Sequence, residues 1–333
     1  MGLLANVDSS ICNVVLDKGF EIKSIKLKEL INFLNIIEDR RESYYIAEEL
    51  LMIYPKYETT EKISQTNDYV FFIEKSFEIS DDWDQSAKNM VELAEFHKKY
   101  FEQYLVETLQ LMRLYKEGNI CIPYYFYYCG DMSKPKVVTR PEKLPIHSLE
   151  EYSLEDQEIT ALQDFINSKW HFDFKEDFFK IAFECYNLSY EINKVNLQFL
   201  TLMTGLEVLF VASKEEKITK TVSRNTAIVI GDSNNGEKIY DDMGKFYGTR
   251  SKIVHGGNRN IITQSQLIRL RKYLRKAINE MNFIISEEPN LHGNGGKIRL
   301  TKFKNDDEYL KRNFKQNISY LLYSCGFGDK PWR

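Results

Sequence analysis

The sequence predicts an α+β domain over residues 1–150 followed by an all-α helical bundle over residues 151–333. The chain has 333 residues, a length that favours two domains over one. Strand-like runs alternate with helical patterns in the first half only, whereas from Leu154 onward helical patterns follow one another. Three of the seven prolines fall between residues 132 and 145, which we interpret as the linker.

The first half contains three strand-like runs and one long amphipathic helix. The runs cover residues 13–16, 69–73 and 120–128. Between the last two, apolar residues recur at spacings of three and four from about residue 85 to residue 116, which predicts a helix. Gly118 supplies a stop signal for this helix. We therefore expect a small sheet with helices on one face.

The second half contains only helical patterns. They cover residues 154–168, 174–188, 191–213, 216–230, 237–255, 263–286 and 306–322. The pattern at 191–213 has apolar residues on nearly every side, which is typical of a helix at the centre of a bundle. We therefore expect the other helices of this half to pack around it.

Composition and cysteine usage indicate a globular protein with reduced thiols. The chain is globular in composition, and no window approaches about 18 consecutive apolar residues, so no membrane span is predicted. Five cysteines are scattered without paired spacing, and the amino terminus lacks a signal-peptide pattern, which predicts reduced thiols in a cytoplasmic protein. Because no His, Cys and acidic residues cluster at ligand spacing, we expect no metal and no other cofactor.

A basic stretch without acids interrupts an otherwise acidic chain. The formal net charge is -4, yet residues 243–279 contain nine Lys or Arg residues and no Asp or Glu. Within it, four residues separate Arg250 from His255, and two glycines follow at once. A positive surface around a titratable imidazole suits a phosphodiester backbone. The alternative is an ordinary helix C-terminus with basic residues and a glycine cap.

The side chains of Arg250 and His255 point in different directions on an ideal helix. Five residues at about 100° each place their side chains roughly 140° apart on an ideal helix. Convergence therefore requires the reach of the Arg side chain, a distortion at the glycines that end the helix, or a second subunit. A second strip on this helix consists of Gly244, Gly248, Ser251 and His255. Its two glycines leave a groove that a helix or a nucleic-acid backbone can approach closely.

Glu207 lies within the predicted helix 191–213 among apolar neighbours, so its carboxylate is expected to be partly buried. A buried carboxylate requires a cation or hydrogen-bond donors, and Arg224 and Arg250 are the candidate partners. We therefore expect an ion pair that braces Arg250 or the fold. Direct acid–base catalysis by Glu207 is the alternative.

Three segments together resemble a known superfamily. They are Leu206-Glu-Val-Leu-Phe210, Ser223-Arg-Asn-Thr-Ala227 and Phe246-Tyr-Gly-Thr-Arg-Ser-Lys-Ile-Val-His-Gly-Gly257. Over roughly residues 154–287 the chain resembles a HEPN domain (higher eukaryotes and prokaryotes nucleotide-binding), and within that superfamily its ApeA-like branch. The resemblance depends on Tyr-x-x-Arg-Ser-x-Ile-Val-His-Gly following a Leu-Glu-x-Leu helix, so the all-α domain is expected to be a HEPN-like bundle.

The resemblance implies a metal-independent endoribonuclease that acts as a homodimer, with two motifs lining one composite active site. The ribose 2′-hydroxyl would attack the neighbouring phosphate and leave 2′,3′-cyclic phosphate and 5′-hydroxyl ends. His255 would transfer the proton, Arg250 would stabilise the phosphorane, and Ser251 would orient the phosphate. The supporting residues that the resemblance implies are Glu207, Arg224 and Tyr247.

The resemblance also implies a biological setting. RNA, as tRNA or mRNA, would be the substrate in prokaryotic anti-phage defence or toxin–antitoxin growth arrest, with an antitoxin or sensor as a partner. The first domain would sense a target or regulate the enzyme. Toxins paired with a nucleotidyltransferase antitoxin carry a Tyr two residues after the His, where this chain has Gly257, so modification of that tyrosine cannot be the regulation. A non-catalytic module for dimerisation or for RNA or nucleotide binding is the alternative.

A basic helix over residues 263–286 places Arg269, Lys272 and Lys276 on the side opposite its apolar residues. Because no acids balance these charges, we predict that this face contacts RNA phosphates, which position a substrate without reading its sequence. Lys252 and Arg259 complete the predicted RNA-binding set. An ordinary solvated helix face is the alternative.

Overall fold

The computed structural model describes residues 1–35, 66, 68–77, 87–127, 137–139, 151–167, 177–211, 218–231, 235–256 and 262–292. Within them the chain combines a small antiparallel sheet with a majority of helices, compatible with the predicted α+β class. The chain divides into two compact units, Met1–Trp170 and His171–Arg333. None of the described helices has both the length and the hydropathy needed to cross a membrane.

The described part of the first unit contains an antiparallel sheet of five strands. Its strands are β1 (Gly2–Ala5), β2 (Glu21–Lys26), β3 (Tyr69–Glu74), β4 (Cys121–Tyr127) and β5 (Val137–Thr139). They are ordered β2-β3-β1-β4-β5, and Leu3 lies opposite Phe72 on one side and Tyr124 on the other. Since β1 is the central strand, all four of its residues are buried.

Among the described residues of the first unit, three helices accompany this sheet. They are α1 (Leu27–Asn35), α2 (Ala87–Tyr115) and α3 (Asp156–Asn167). A Cβ added to Gly2 would lie 2.6 Å from Leu105 Cδ1, so α2 lies directly against β1. Leu105 and Leu162 of α3 are fully buried in the same core. Therefore α3 packs within the first unit, whereas the sequence predicts that the second domain begins at residue 151. An amphipathic helix near a boundary can pack on either side of it.

The sequence identified two of the five strands. The runs at 69–73 and 120–128 correspond to β3 and β4, whereas the strand predicted at 13–16 is wrong. A short 3-10 helix ends at Asn13 instead, and its N-cap Asp8 accepts a hydrogen bond from the Ser10 amide at 2.9 Å. Strand β5 falls within the segment interpreted as linker, and β1 has no polar alternation because both of its faces are covered.

The described elements of the second unit are all helices. They are α4 (Asp177–Glu191), α5 (Val195–Phe210), α6 (Ile218–Ile230), α7 (Gly236–Gly256) and α8 (Gln264–His292). Helix α5 contacts each of the other four, which confirms its predicted central position. It begins at Val195 instead of residue 191 because Lys194 before it is extended. The helix predicted at 306–322 lies outside the described residues.

Gly205 brings α5 close to two of its neighbours. A Cβ at this position would lie 3.2 Å from Cys185 Cβ on α4 and 2.7 Å from Leu274 Cδ2 on α8. Leu274 is fully buried, as are Leu202 and Leu206 on α5 itself. The missing side chain therefore lets the backbone of α5 approach both helices at the centre of the unit.

Candidate active site

Helix α7 carries the Arg-His motif on one continuous element. The helix extends without interruption from Gly236 to Gly256, so both Arg250 and His255 lie within regular α-helix. The offset of about 140° therefore holds. The helix continues past His255 to Gly256, so no break separates the two residues. Met243 and Phe246 are buried against the bundle, which directs the opposite side of α7 outward.

Glu207 of α5 holds Arg250 in place. The Arg250 Nη2 donates a hydrogen bond to Glu207 Oε2 at 3.4 Å, and Arg250 Nε lies 3.2 Å from Glu207 Oε1. The Nε contact is an ion pair without hydrogen-bond alignment, since this buried nitrogen has no hydrogen-bond acceptor. The ion pair expected between Glu207 and Arg250 is thereby confirmed. Of the two candidate arginines, Arg224 instead donates from Nε to Asn225 Oδ1 at 3.1 Å.

Tyr247 provides the second contact to the same carboxylate. Its hydroxyl donates to Glu207 Oε1 at 3.0 Å from one turn before Arg250 on α7. Burial, followed by the neighbouring Glu207 charge, raises the pKa of Tyr247 far above its usual range. The phenol therefore remains a neutral donor over the physiological pH range. Together Glu207, Tyr247 and Arg250 form a cluster that joins α5 to the C-terminal half of α7.

The exposed end of α7 carries the remaining residues of the motif. Ser251, Lys252 and His255 are all exposed, and no described residue forms a hydrogen bond with the His255 imidazole. Gly244 and Gly248 are exposed as well, and a Cβ at either would meet no atom within 4 Å. The predicted strip from Gly244 to His255 is therefore an open face. The Arg250 side chain, 36% exposed, borders it.

A second cluster joins α7 to α8 and includes Arg269, one of the predicted RNA-binding residues of the basic helix. Arg269 Nη1 donates to Asp242 Oδ2 at 3.0 Å, and the Tyr273 hydroxyl donates to the same oxygen at 2.9 Å. Asp242 is buried, so this ion pair compensates a charge that would be costly alone. Arg269 is thus paired with α7 although its side chain is partly exposed, whereas Lys272 and Lys276 are exposed as predicted and form no such ion pair among the described residues.

The sequence predicts Arg269 as an RNA-binding residue but does not single out Asp242 or Tyr273, although a signal for Asp242 is present. Asp242 falls between Ile239 and Met243 on the apolar stripe of α7, where an acid requires a buried partner. The predicted RNA-binding residue Arg259 lies outside the described residues. Within the part of the chain that the structure describes, no group of three or more His, Cys, Asp or Glu residues is arranged to hold a metal ion.

Comparisons with protein-family models, with curated proteins and with solved structures find no match to this chain. The arrangement of α7 therefore provides the basis for a functional assignment. It combines an anchored guanidinium, an exposed imidazole and an exposed hydroxyl within two helical turns. These groups can bind a phosphate and transfer a proton.

Proposed function

We propose that the protein is a HEPN-type, metal-independent endoribonuclease whose site is formed by Arg250, Ser251 and His255. One observation carries this proposal: Glu207 and Tyr247 anchor the Arg250 guanidinium beside an open helix face that ends in an exposed histidine. A solitary surface arginine would be mobile. A partly buried carboxylate that pairs with one partly exposed guanidinium, and is itself held by a buried phenol, is instead typical of a preorganised anion site.

The proposed reaction is transesterification within RNA. The 2′-oxygen forms a bond to phosphorus and the P–O5′ bond breaks, giving 2′,3′-cyclic phosphate and 5′-hydroxyl ends. His255 takes the proton from the 2′-hydroxyl, and an imidazole returns a proton to the leaving 5′-oxygen. Arg250 stabilises the extra negative charge of the phosphorane, and the Ser251 hydroxyl donates to a phosphate oxygen. Lys252 and Lys272 contact flanking phosphates.

A homodimer with a composite site would account for the angular separation of Arg250 and His255 on α7. Arg250 faces Glu207 on α5, whereas His255 faces outward, so one copy directs the two groups apart. Two copies with their open α7 faces together would supply an arginine and a histidine to each phosphate. The first unit, with its separate core, serves in this proposal as the sensing or regulatory domain of a cytoplasmic defence or growth-arrest ribonuclease.

The proposal predicts that purified full-length protein cleaves RNA in the presence of EDTA. Cleavage continues because imidazole and guanidinium supply proton transfer and charge stabilisation. The measurement is sequencing of the RNA ends after treatment that distinguishes 2′,3′-cyclic phosphates from other termini. Intact RNA in EDTA contradicts the proposal. RNA binding without cleaved ends, under all conditions, supports the non-catalytic binding module.

RNA affinity should depend on salt through the lysines of α8 more than through Arg269. Removing one phosphate contact on a single strand reduces the slope of log K against log salt by about 0.7. We therefore expect that reduction for Lys272→Ala and Lys276→Ala, and a clearly smaller one for Arg269→Ala, whose guanidinium is paired with Asp242. Fluorescence anisotropy with His255→Ala protein as the background measures binding without cleavage. An equal reduction for Arg269→Ala shows that the ion pair opens for RNA.

A further inference from the structure

We infer that Tyr247 is a positioning residue for Arg250. It orients the Arg250 guanidinium, through Glu207, so that the Nη1–Nη2 edge contacts the scissile phosphate. The inference rests on the proposed function. A guanidinium offers two bidentate edges, one formed by Nε and Nη2 and the other by Nη1 and Nη2. In this structure Nε and Nη2 both face the Glu207 carboxylate. The edge that contains Nη1 is therefore the one left for a second anion.

The two carboxylate oxygens of Glu207 each receive one hydrogen bond, from different residues. Oε2 accepts from Arg250 Nη2, whereas Oε1 accepts from the Tyr247 hydroxyl. Arg250 Nε is close to Oε1 but not aligned with it. Tyr247 therefore supplies the only hydrogen bond that Oε1 receives from the described residues.

Loss of the Tyr247 hydroxyl would change how Arg250 pairs with Glu207. A partly buried carboxylate oxygen without a donor is unfavourable, and Arg250 Nε already lies 3.2 Å from Oε1. The guanidinium and the carboxylate would then rotate toward an aligned two-bond pair. Such a rotation displaces the Nη1 edge from the phosphate, and displacement by a fraction of an ångström is enough to slow a reaction.

Tyr247 has a fixed position because its own side chain is buried. It is 8% exposed and lies on α7 three residues before Arg250, so both act on Glu207 from the same helix. The positioning is thus built into two helices, α5 and α7, and does not depend on a loop. Its chemical target is any dianionic or monoanionic phosphate oxygen pair that reaches the outer edge of Arg250.

Tyr273 provides a matched control for Tyr247. It is a buried tyrosine of the same 8% exposure that donates to an acid on a neighbouring helix, and that acid also pairs with an arginine. The acid is Asp242 and the arginine is Arg269, which the proposed chemistry does not use. The phenylalanine variants of the two tyrosines therefore remove the same kind of bond from two comparable clusters.

The kinetic test compares Tyr247→Phe with Tyr273→Phe. We expect Tyr247→Phe to lower kcat by about tenfold with KM within about twofold of wild type, since positioning and not RNA affinity is lost. Tyr273→Phe leaves kcat within about twofold of wild type. In an Arg250→Lys background, Tyr247→Phe lowers kcat no further, because an ammonium group has no edges to orient. An unchanged kcat for Tyr247→Phe, or an undiminished loss in the Arg250→Lys background, overturns the inference.

A labelling test decides the inference without relying on cleavage. Phenylglyoxal modifies arginine side chains, and Arg250 and Arg269 are comparably exposed at 36% and 42%. We expect Tyr247→Phe to lower the modification rate of Arg250 several-fold, because the aligned two-bond pair with Glu207 holds the guanidinium more tightly. The rate is measured by peptide mass spectrometry, with Arg269 as the internal reference. Tyr273→Phe leaves the rate at Arg250 unchanged. If the wild-type protein cleaves no RNA, the proposed function fails while the labelling rates still report the positioning. Equal Arg250 rates in wild type and Tyr247→Phe overturn it.

Discussion

His255→Ala is expected to slow RNA cleavage by about a thousandfold, within the range that general acid–base catalysis supplies. The imidazole is exposed and forms no hydrogen bond with any described residue, so its removal leaves no buried group unsatisfied. The free energy of unfolding should therefore remain that of the wild type. Single-turnover cleavage in EDTA and urea unfolding of the same preparation measure the two quantities.

Two further measurements sharpen the result for His255. Because the side chain is exposed, added imidazole should reach the vacant position and restore part of the rate of His255→Ala. His255→Gln keeps hydrogen-bonding capacity but cannot titrate, so it should be nearly as slow as His255→Ala. Wild-type rates in either variant exclude His255 from proton transfer. A loss of rate that accompanies a loss of stability assigns the residue to the fold.

Gly205→Val is expected to destabilise the second unit by about 3 kcal/mol, because the added atoms overpack a filled core. The first added carbon alone would meet Cys185 Cβ at 3.2 Å and Leu274 Cδ2 at 2.7 Å. Leu274 can move its terminal methyl, but it is fully buried, and Cys185 Cβ is attached directly to the backbone of α4. The helices must therefore separate. Hydrogen exchange of the α5 amides in urea measures this unit by itself.

Gly244 on α7 is the matched control for Gly205. Both glycines lie inside helices, but a Cβ at Gly244 would meet nothing within 4 Å. Gly244→Ala should therefore raise the free energy of unfolding by up to about 1 kcal/mol, since alanine is the better helix former. Destabilisation by Gly244→Ala, or tolerance of Gly205→Val, contradicts the close approach of α5 to α4 and α8.

The helices were more predictable from sequence than the sheet, for a physical reason. Apolar periodicity along α5 and α7 is local information, and both helices lie within a few residues of their predicted limits. Strand β1 has only four residues, all buried, so it shows neither length nor alternation. Its pairing with β3 and β4 joins segments far apart in sequence, which no local pattern reports.

Some contacts of the candidate site are likewise predictable from sequence, whereas others depend on how the helices dock. A carboxylate on the largely apolar helix α5 requires a partner, and Arg250 is one of the two candidates that the sequence predicts. The pairing of Arg269 with Asp242 depends on how α7 and α8 dock, so the sequence interpreted Arg269 as a free surface charge. That Tyr247 and Arg250 take separate oxygens of Glu207 likewise required coordinates.

The exposure of His255 affects which residues of the candidate site a related sequence should lose first. The exposed imidazole forms no hydrogen bond within the described part of the chain, so that part of the fold does not constrain it, and its proposed role in cleavage would be what preserves it. Arg250 is different, because its loss leaves the half-buried Glu207 without its cation and weakens the fold. A lineage released from selection for cleavage should therefore lose the histidine first and retain the arginine, the glutamate and the tyrosine. If the proposed homodimer forms, descendants with that pattern would still assemble, and in a cell that holds both forms they would pair with copies that retain the histidine.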